Sequence, residues 1–118
     1  MNQQELENRL IDFAVLVSDT VDLLPGNLAG CHLASQLIRS GSAPALNYGE
    51  ARAAESRIDF AHKNKIILKE LRETLICFRI IERASLFPNN MDILSRAFQE
   101  SNELVSIFVK TLKSLVEK

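Results

Sequence analysis

Residues 46–86 read LNYGEARAAESRIDFAHKNKIILKELRETLICFRIIERASL, and this stretch decides the fold. Ser56-Arg57-Ile58-Asp59 has the form of a capping box. The Ser56 hydroxyl accepts from the Asp59 amide, and the Asp59 carboxylate, in place of the usual Glu or Gln, reaches back to the Ser56 amide. No Gly or Pro follows until Pro88. Ile67, Leu68, Leu71, Leu75, Phe78 and Ile81 recur at steps of three and four, which is one face of a helix of about eight turns.

The same helix carries a second stripe. At about 100° per residue, Ile66, Cys77, Ile80 and Ala84 fall on the side away from Leu71, along with Asp59, Lys63, Glu70 and Glu73. A helix that is apolar on two sides has two surfaces to cover. One is the core of its own bundle, and the other calls for a further partner.

The flanking sequence has the same grain. Asn2 caps a first helix whose stripe is Leu6, Leu10, Phe13, Val17, Val21 and Leu24, with Ile11 and Val15 on its far side. Pro25-Gly26 ends it and Asn27 caps the next. In the second helix Gly30, Cys31, Ala34, Leu37, Ile38, Gly41, Ala45 and Tyr48 share a face. Pro44 lacks an amide and crowds the carbonyl four residues before it, so this helix is expected to be kinked or interrupted near Pro44. A fourth stripe, Leu94, Phe98, Val105, Phe108, Leu112 and Leu115, follows a turn at Leu86–Asn90, where Asn89 or Asn90 can cap the helix. Lys113 and Lys118 suit its C-terminal end. Four patterns of similar length with short connections predict an all-α, antiparallel up-down-up-down four-helix bundle, with residues 1–118 as one domain.

Composition narrows the function. The 118 residues are 47% hydrophobic and 25% charged, with only four Gly and three Pro, an ordinary globular mixture with few turns for hairpins. The formal net charge of −1 is not that of a dedicated nucleic-acid binder. The charge is uneven, however. Glu5, Glu7, Asp12, Asp19 and Asp22 face only Arg9 in the first 30 residues, whereas eight Lys/Arg face six Asp/Glu between Asn47 and Arg83. The polar, acidic N-terminus is not a signal peptide, and no apolar run reaches the roughly 18 residues of a membrane span. Cys31 and Cys77 lie in helical patterns and read as buried, reduced thiols, so the expected setting is cytoplasmic.

No chemistry-bearing pattern stands out. No HExxH or ExxH occurs, and His32 and His62 become ligands only if helices two and three bring them together. Ser40–Pro44 lacks the phosphate-loop pattern. Glu70 and Glu73 stand among Lys63, Lys69 and Arg72, where ion pairing explains them more simply than acid–base catalysis. Neither Cys77 nor any Ser has a motif-level His partner. No enzyme, cofactor, metal or small-molecule substrate is expected. Tyr48 and Phe60 mixed with Arg52, Arg57, Lys63, Lys65 and Lys69 offer an RNA-contact alternative.

One resemblance rests on these residues. Asn47-Tyr48-x-Glu50-Ala51, Ser56, Asp59-Phe60-x-His62-Lys63 and Leu68-Lys69-Glu70-x-Arg72-Glu73-Thr74 resemble the central signature of the four-helix bundle proteins encoded in intervening sequences of bacterial 23S ribosomal RNA genes. Ile66-Ile67-Leu68 and Ile76-Cys77-Phe78 depart mildly from it. The resemblance implies a ring-like homopentamer with no enzymatic activity or cofactor. It also implies kinship with the accessory proteins of diversity-generating retroelements, which use a basic pentamer surface for nucleic acid. The expectation is therefore an oligomeric interaction or scaffold protein with Ile11, Val15, Ile66, Cys77, Ile80 and Ala84 at the subunit interface. The alternative is an RNA- or nucleoprotein-binding accessory protein with a basic rim of Arg52, Arg57, Lys63, Lys65 and Lys69 on helix three.

Overall fold

The computed structural model describes residues 1–87 and 92–116, so the turn at Asn89-Asn90 and Lys118 lie outside the described residues. Four helices account for nearly all of it: α1 (Gln3–Val21), α2 (Leu28–Arg52), α3 (Arg57–Arg83) and α4 (Asp92–Val116). Each of the first three starts where a side-chain oxygen takes up an otherwise orphaned amide. Asn2 accepts from the Glu5 amide at 2.8 Å, Asn27 from Gly30 at 2.8 Å, and Ser56 from Asp59 at 3.0 Å.

The end of α3 has a device that the sequence pattern did not announce. Ser85 adopts a left-handed φ of 54°. The Ser85 amide donates to Glu82 O, and the Leu86 amide donates to Ile81 O. This is a Schellman close, with Ser at the position where Gly is usual.

α1 packs on α2 and α4, α3 also packs on α2 and α4, and the backbones of the diagonal pairs stay apart, with only core side chains between them. Together with the short connections this is the up-down-up-down bundle, 46 × 21 × 20 Å, two helices by two. The core is built from the expected stripes. Leu6, Leu10, Phe13 and Val17 of α1 meet Ile67, Leu71, Phe78 and Ile81 of α3 across the bundle interior, all buried. In α4 the inward line is Ala97, Ser101, Leu104 and Phe108. It is rotated slightly from the expected stripe, which leaves Leu94, Phe98 and Val105 half-buried on its flank.

α2 differs most from its sequence pattern. It runs as one helix through Pro44, so of the two outcomes expected there, a kink or an interruption, the interruption is absent. A Pro in a helix interior costs about 3 kcal/mol, but here both halves are fixed in phase by burial on neighbouring helices. The buried line is Gly30, Leu33, Leu37, Ser40, Gly41, Pro44, Tyr48 and Ala51. Cys31 and Ile38, expected inside, are exposed. The face turns because Ser40 is drawn inward, where the Thr74 hydroxyl donates to Ser40 Oγ at 2.9 Å and the two helices close on each other. On the other side a Cβ on Gly41 would lie 2.7 Å from Val17 Cγ1, so only Gly permits the α1–α2 approach at that point. Tyr48 stacks edge-on against Phe108 across the core, with ring centroids 6.0 Å apart.

Candidate interaction surfaces

Ion pairs mark the sides of the bundle that are already committed. Arg9 holds Glu100 bidentately at 2.7 and 2.8 Å and so joins α1 to α4. On the opposite side Arg39 of α2 reaches both Glu70 and Glu73 of α3. Glu70 is buried, and Arg39 is what makes that burial tolerable. The expected ion pairing of Glu70 and Glu73 is therefore present, but its partner comes from another helix and not from Lys63, Lys69 or Arg72. Spacing along one helix could not reveal that.

The basic residues considered for nucleic acid are dispersed. Arg52 pairs with Glu7 at 3.0 Å and donates to Gln4, on the α1 side. Lys63 approaches Glu50 at 3.5 Å, on the α2 side. Arg57 donates to the Leu115 carbonyl, on the α4 side. Only Lys65 and Lys69 lie together, along the outward face of α3.

That outward face is an open groove of about 770 Å³ between α2, α3 and α4. Its apolar lining includes Leu33, Leu68, Ile76, Ile80 and Leu112; its cations are Arg39, Lys65, Lys69 and Arg72. Ile76 and Ile80 are 49% and 46% exposed, so this is an apolar surface in contact with water. Of the expected interface residues on α3, Ile80 and Ala84 are exposed, whereas Ile66 and Cys77 are half-buried, Cys77 against the core. Burial, reinforced by the nearby Glu73 carboxylate, raises the Cys77 thiol above its ordinary range.

Ile11 and Val15 form the second surface, on α1, and are 47% and 56% exposed. α2 adds Ile38 and Leu46 to the exposed apolar surface, which the sequence pattern assigned elsewhere or left out. α1 and α3 occupy diagonal corners, so the two surfaces point away from each other.

Nothing converges as a catalytic or metal centre among the described residues. Ser40 and Thr74 align α2 with α3 antiparallel, which places His32 and His62 near opposite ends of the pair, about 30 Å apart at 1.5 Å per residue. No described helix is long and apolar enough to cross a membrane.

No protein-family model matches the chain, and no curated protein does. Among solved structures, the chain is similar to a protein of unknown function from the S23 ribosomal protein family of Bacteroides thetaiotaomicron. The TM-score is 0.81 at 24% identity, over 96% of this chain and 99% of that one. The likeness is one of fold: the whole bundle, end to end, is a known arrangement.

Proposed function

We propose that this protein is a non-enzymatic, cytoplasmic, oligomeric helical bundle that acts as an interaction scaffold, and that it belongs with the proteins encoded in 23S ribosomal RNA intervening sequences. Support for the family comes from the signature across residues 47–74 and from the end-to-end structural likeness to a protein of the S23 ribosomal protein family. The observation that carries assembly is the pair of half-exposed apolar strips, Ile11 and Val15 on α1 and Ile76 and Ile80 on α3, at diagonal corners of one bundle. Monomers rarely leave such strips facing water. Two unlike patches on opposite sides pair head to tail, and the rotation between neighbours decides whether the chain of copies closes. Five copies is the number that the resemblance supplies.

Ile80→Glu tests this reading, because it puts a charge into the α3 strip while leaving the core untouched. The variant should sediment as a single chain with an unchanged helical circular-dichroism spectrum. An assembled Ile80→Glu variant would remove Ile80 from the interface.

The rival reading is an RNA- or nucleoprotein-binding module using Lys65 and Lys69. Arg52, Arg57 and Lys63 have partners within the bundle, which favours the scaffold. Binding of a structured RNA that falls steeply with salt and is lost in Lys65→Glu would favour the rival.

A further inference from the structure

The two outward surfaces differ in charge as well as position. On α1 the solvent-facing strip carries Glu5, Asp12, Asp19 and Asp22 beside Ile11 and Val15, and no cation. On α3 the strip carries Lys65, Lys69, Arg72, Arg79 and Arg83 beside Ile76 and Ile80. Among the described residues none of these nine charges has an ion-pair partner, although Arg9, Arg39, Arg52 and Lys63 all do. Ion pairing within the subunit thus satisfies the cations that hold the bundle and leaves an unpaired acidic strip on α1 and an unpaired basic strip on α3, on diagonal helices. The strips also match in length. Glu5 to Asp22 spans about 25 Å and Lys65 to Arg83 about 27 Å at 1.5 Å per residue.

We propose, building on the oligomeric reading above, that the acidic α1 strip of one copy seats in the basic α3 groove of the next. Ile11 and Val15 lie against Ile80 and Ile76 of an antiparallel α3, a register that sets Asp12 opposite Arg79, Asp19 opposite Arg72 and Asp22 opposite Lys69 at 1.5 Å per residue. The occupant of the groove is a second copy of this chain. An RNA backbone would use the cations but not Leu68, Ile76, Ile80 and Leu112, which also line the groove. The α1 strip offers both kinds of contact at once. Opposite charges on the two strips also set polarity: ridge to ridge and groove to groove are repelled, so only head-to-tail association remains.

Charge reversal tests the pairing on exposed positions, away from the core. The ridge variant Asp19→Lys/Asp22→Lys and the groove variant Lys69→Glu/Arg72→Glu should each raise the apparent Kd of assembly on the order of 100-fold, since each converts attraction to repulsion. The chain carrying all four reversals should reassemble, because the signs match again. Raising the salt from 0.05 to 0.5 M should weaken the wild type and leave less to lose in the variants. Circular dichroism checks that each variant is folded. Reversals that leave the assembled mass unchanged would overturn the pairing, as would a folded fourfold variant that stays dissociated. A groove variant that keeps its mass but loses binding to a structured RNA hairpin would assign the groove to RNA and also overturn the pairing. A wild type that is itself a single chain would instead remove the oligomeric reading on which the pairing rests.

Discussion

Gly41→Ala places a methyl where α1 and α2 come closest, and the expected effect can be worked from the geometry. The new Cβ would lie 2.7 Å from Val17 Cγ1 and 3.0 Å from both Val17 Cβ and Cγ2. Val17 is fully buried, so it has no free volume to move into. Overpacking of this kind typically costs about 1–3 kcal/mol. The intrinsic helix preference of Ala over Gly returns roughly 1 kcal/mol, so the net loss should be about 0–2 kcal/mol. Gly49→Ala provides the control within the same helix, because its Cβ would meet only Glu7 Oε1 at 3.9 Å. That variant should be stabilised by about 0.5–1 kcal/mol. Urea melts at one fixed protein concentration, followed by circular dichroism, measure both. Equal stabilisation by the two substitutions would mean that α1 and α2 are not in close contact at Gly41.

Leu71→Ala, at the centre of the α3 core line, should lose about 2–5 kcal/mol in the same assay, and a loss under about 0.5 kcal/mol would place the inward face elsewhere. Ser85→Gly should gain about 1 kcal/mol by relieving a left-handed backbone at a non-Gly residue, with α3 otherwise unaltered. The exposed Cys31 should be alkylated by iodoacetamide at pH 8 well before the half-buried Cys77, whose thiol holds its proton more tightly than usual; unfolding releases that proton more easily, so stability should decline as pH rises through and beyond the ordinary thiol range. Chelators should leave the melting temperature unchanged, and a drop of several degrees that zinc or iron restores would reveal a metal site.

Elements whose information is local were legible in the sequence. Asn2, Asn27 and Ser56 cap the helices they precede because a cap needs only its own side chain and an amide three residues on. The stripes of α1 and α3 lie inward because large aliphatic residues repeat without interruption. α2 was less legible for two reasons. Its small residues give a weak stripe, and its orientation is set by contacts with other helices: Ser40 with Thr74, Arg39 with Glu70 and Glu73, and Gly41 with Val17. None of these is visible in one-dimensional periodicity. Continuity through Pro44 is likewise a tertiary outcome, with packing on both flanks outweighing a local preference to break.

The second stripes of α1 and α3 could be read from helical phase, and the structure leaves Ile11, Val15, Ile80 and Ala84 exposed. What phase could not show is that Ile66 and Cys77 are half-buried, or that Ile38 and Leu46 of α2 join the outer apolar surface. Nor could it show which basic residues are spent inside the subunit. Arg52, Arg57 and Lys63 find their partners on α1, α4 and α2, and only the assembled bundle separates them from Lys65 and Lys69.

The mass of the wild-type protein in solution tests the central claim most directly. Light scattering at micromolar concentration should give a multiple of the 13.2 kDa chain mass, and five times that mass if the ring closes as the resemblance implies. A particle of 13.2 kDa under the same conditions would contradict the account, because the apolar strips of α1 and α3 would then have no partner of their own kind.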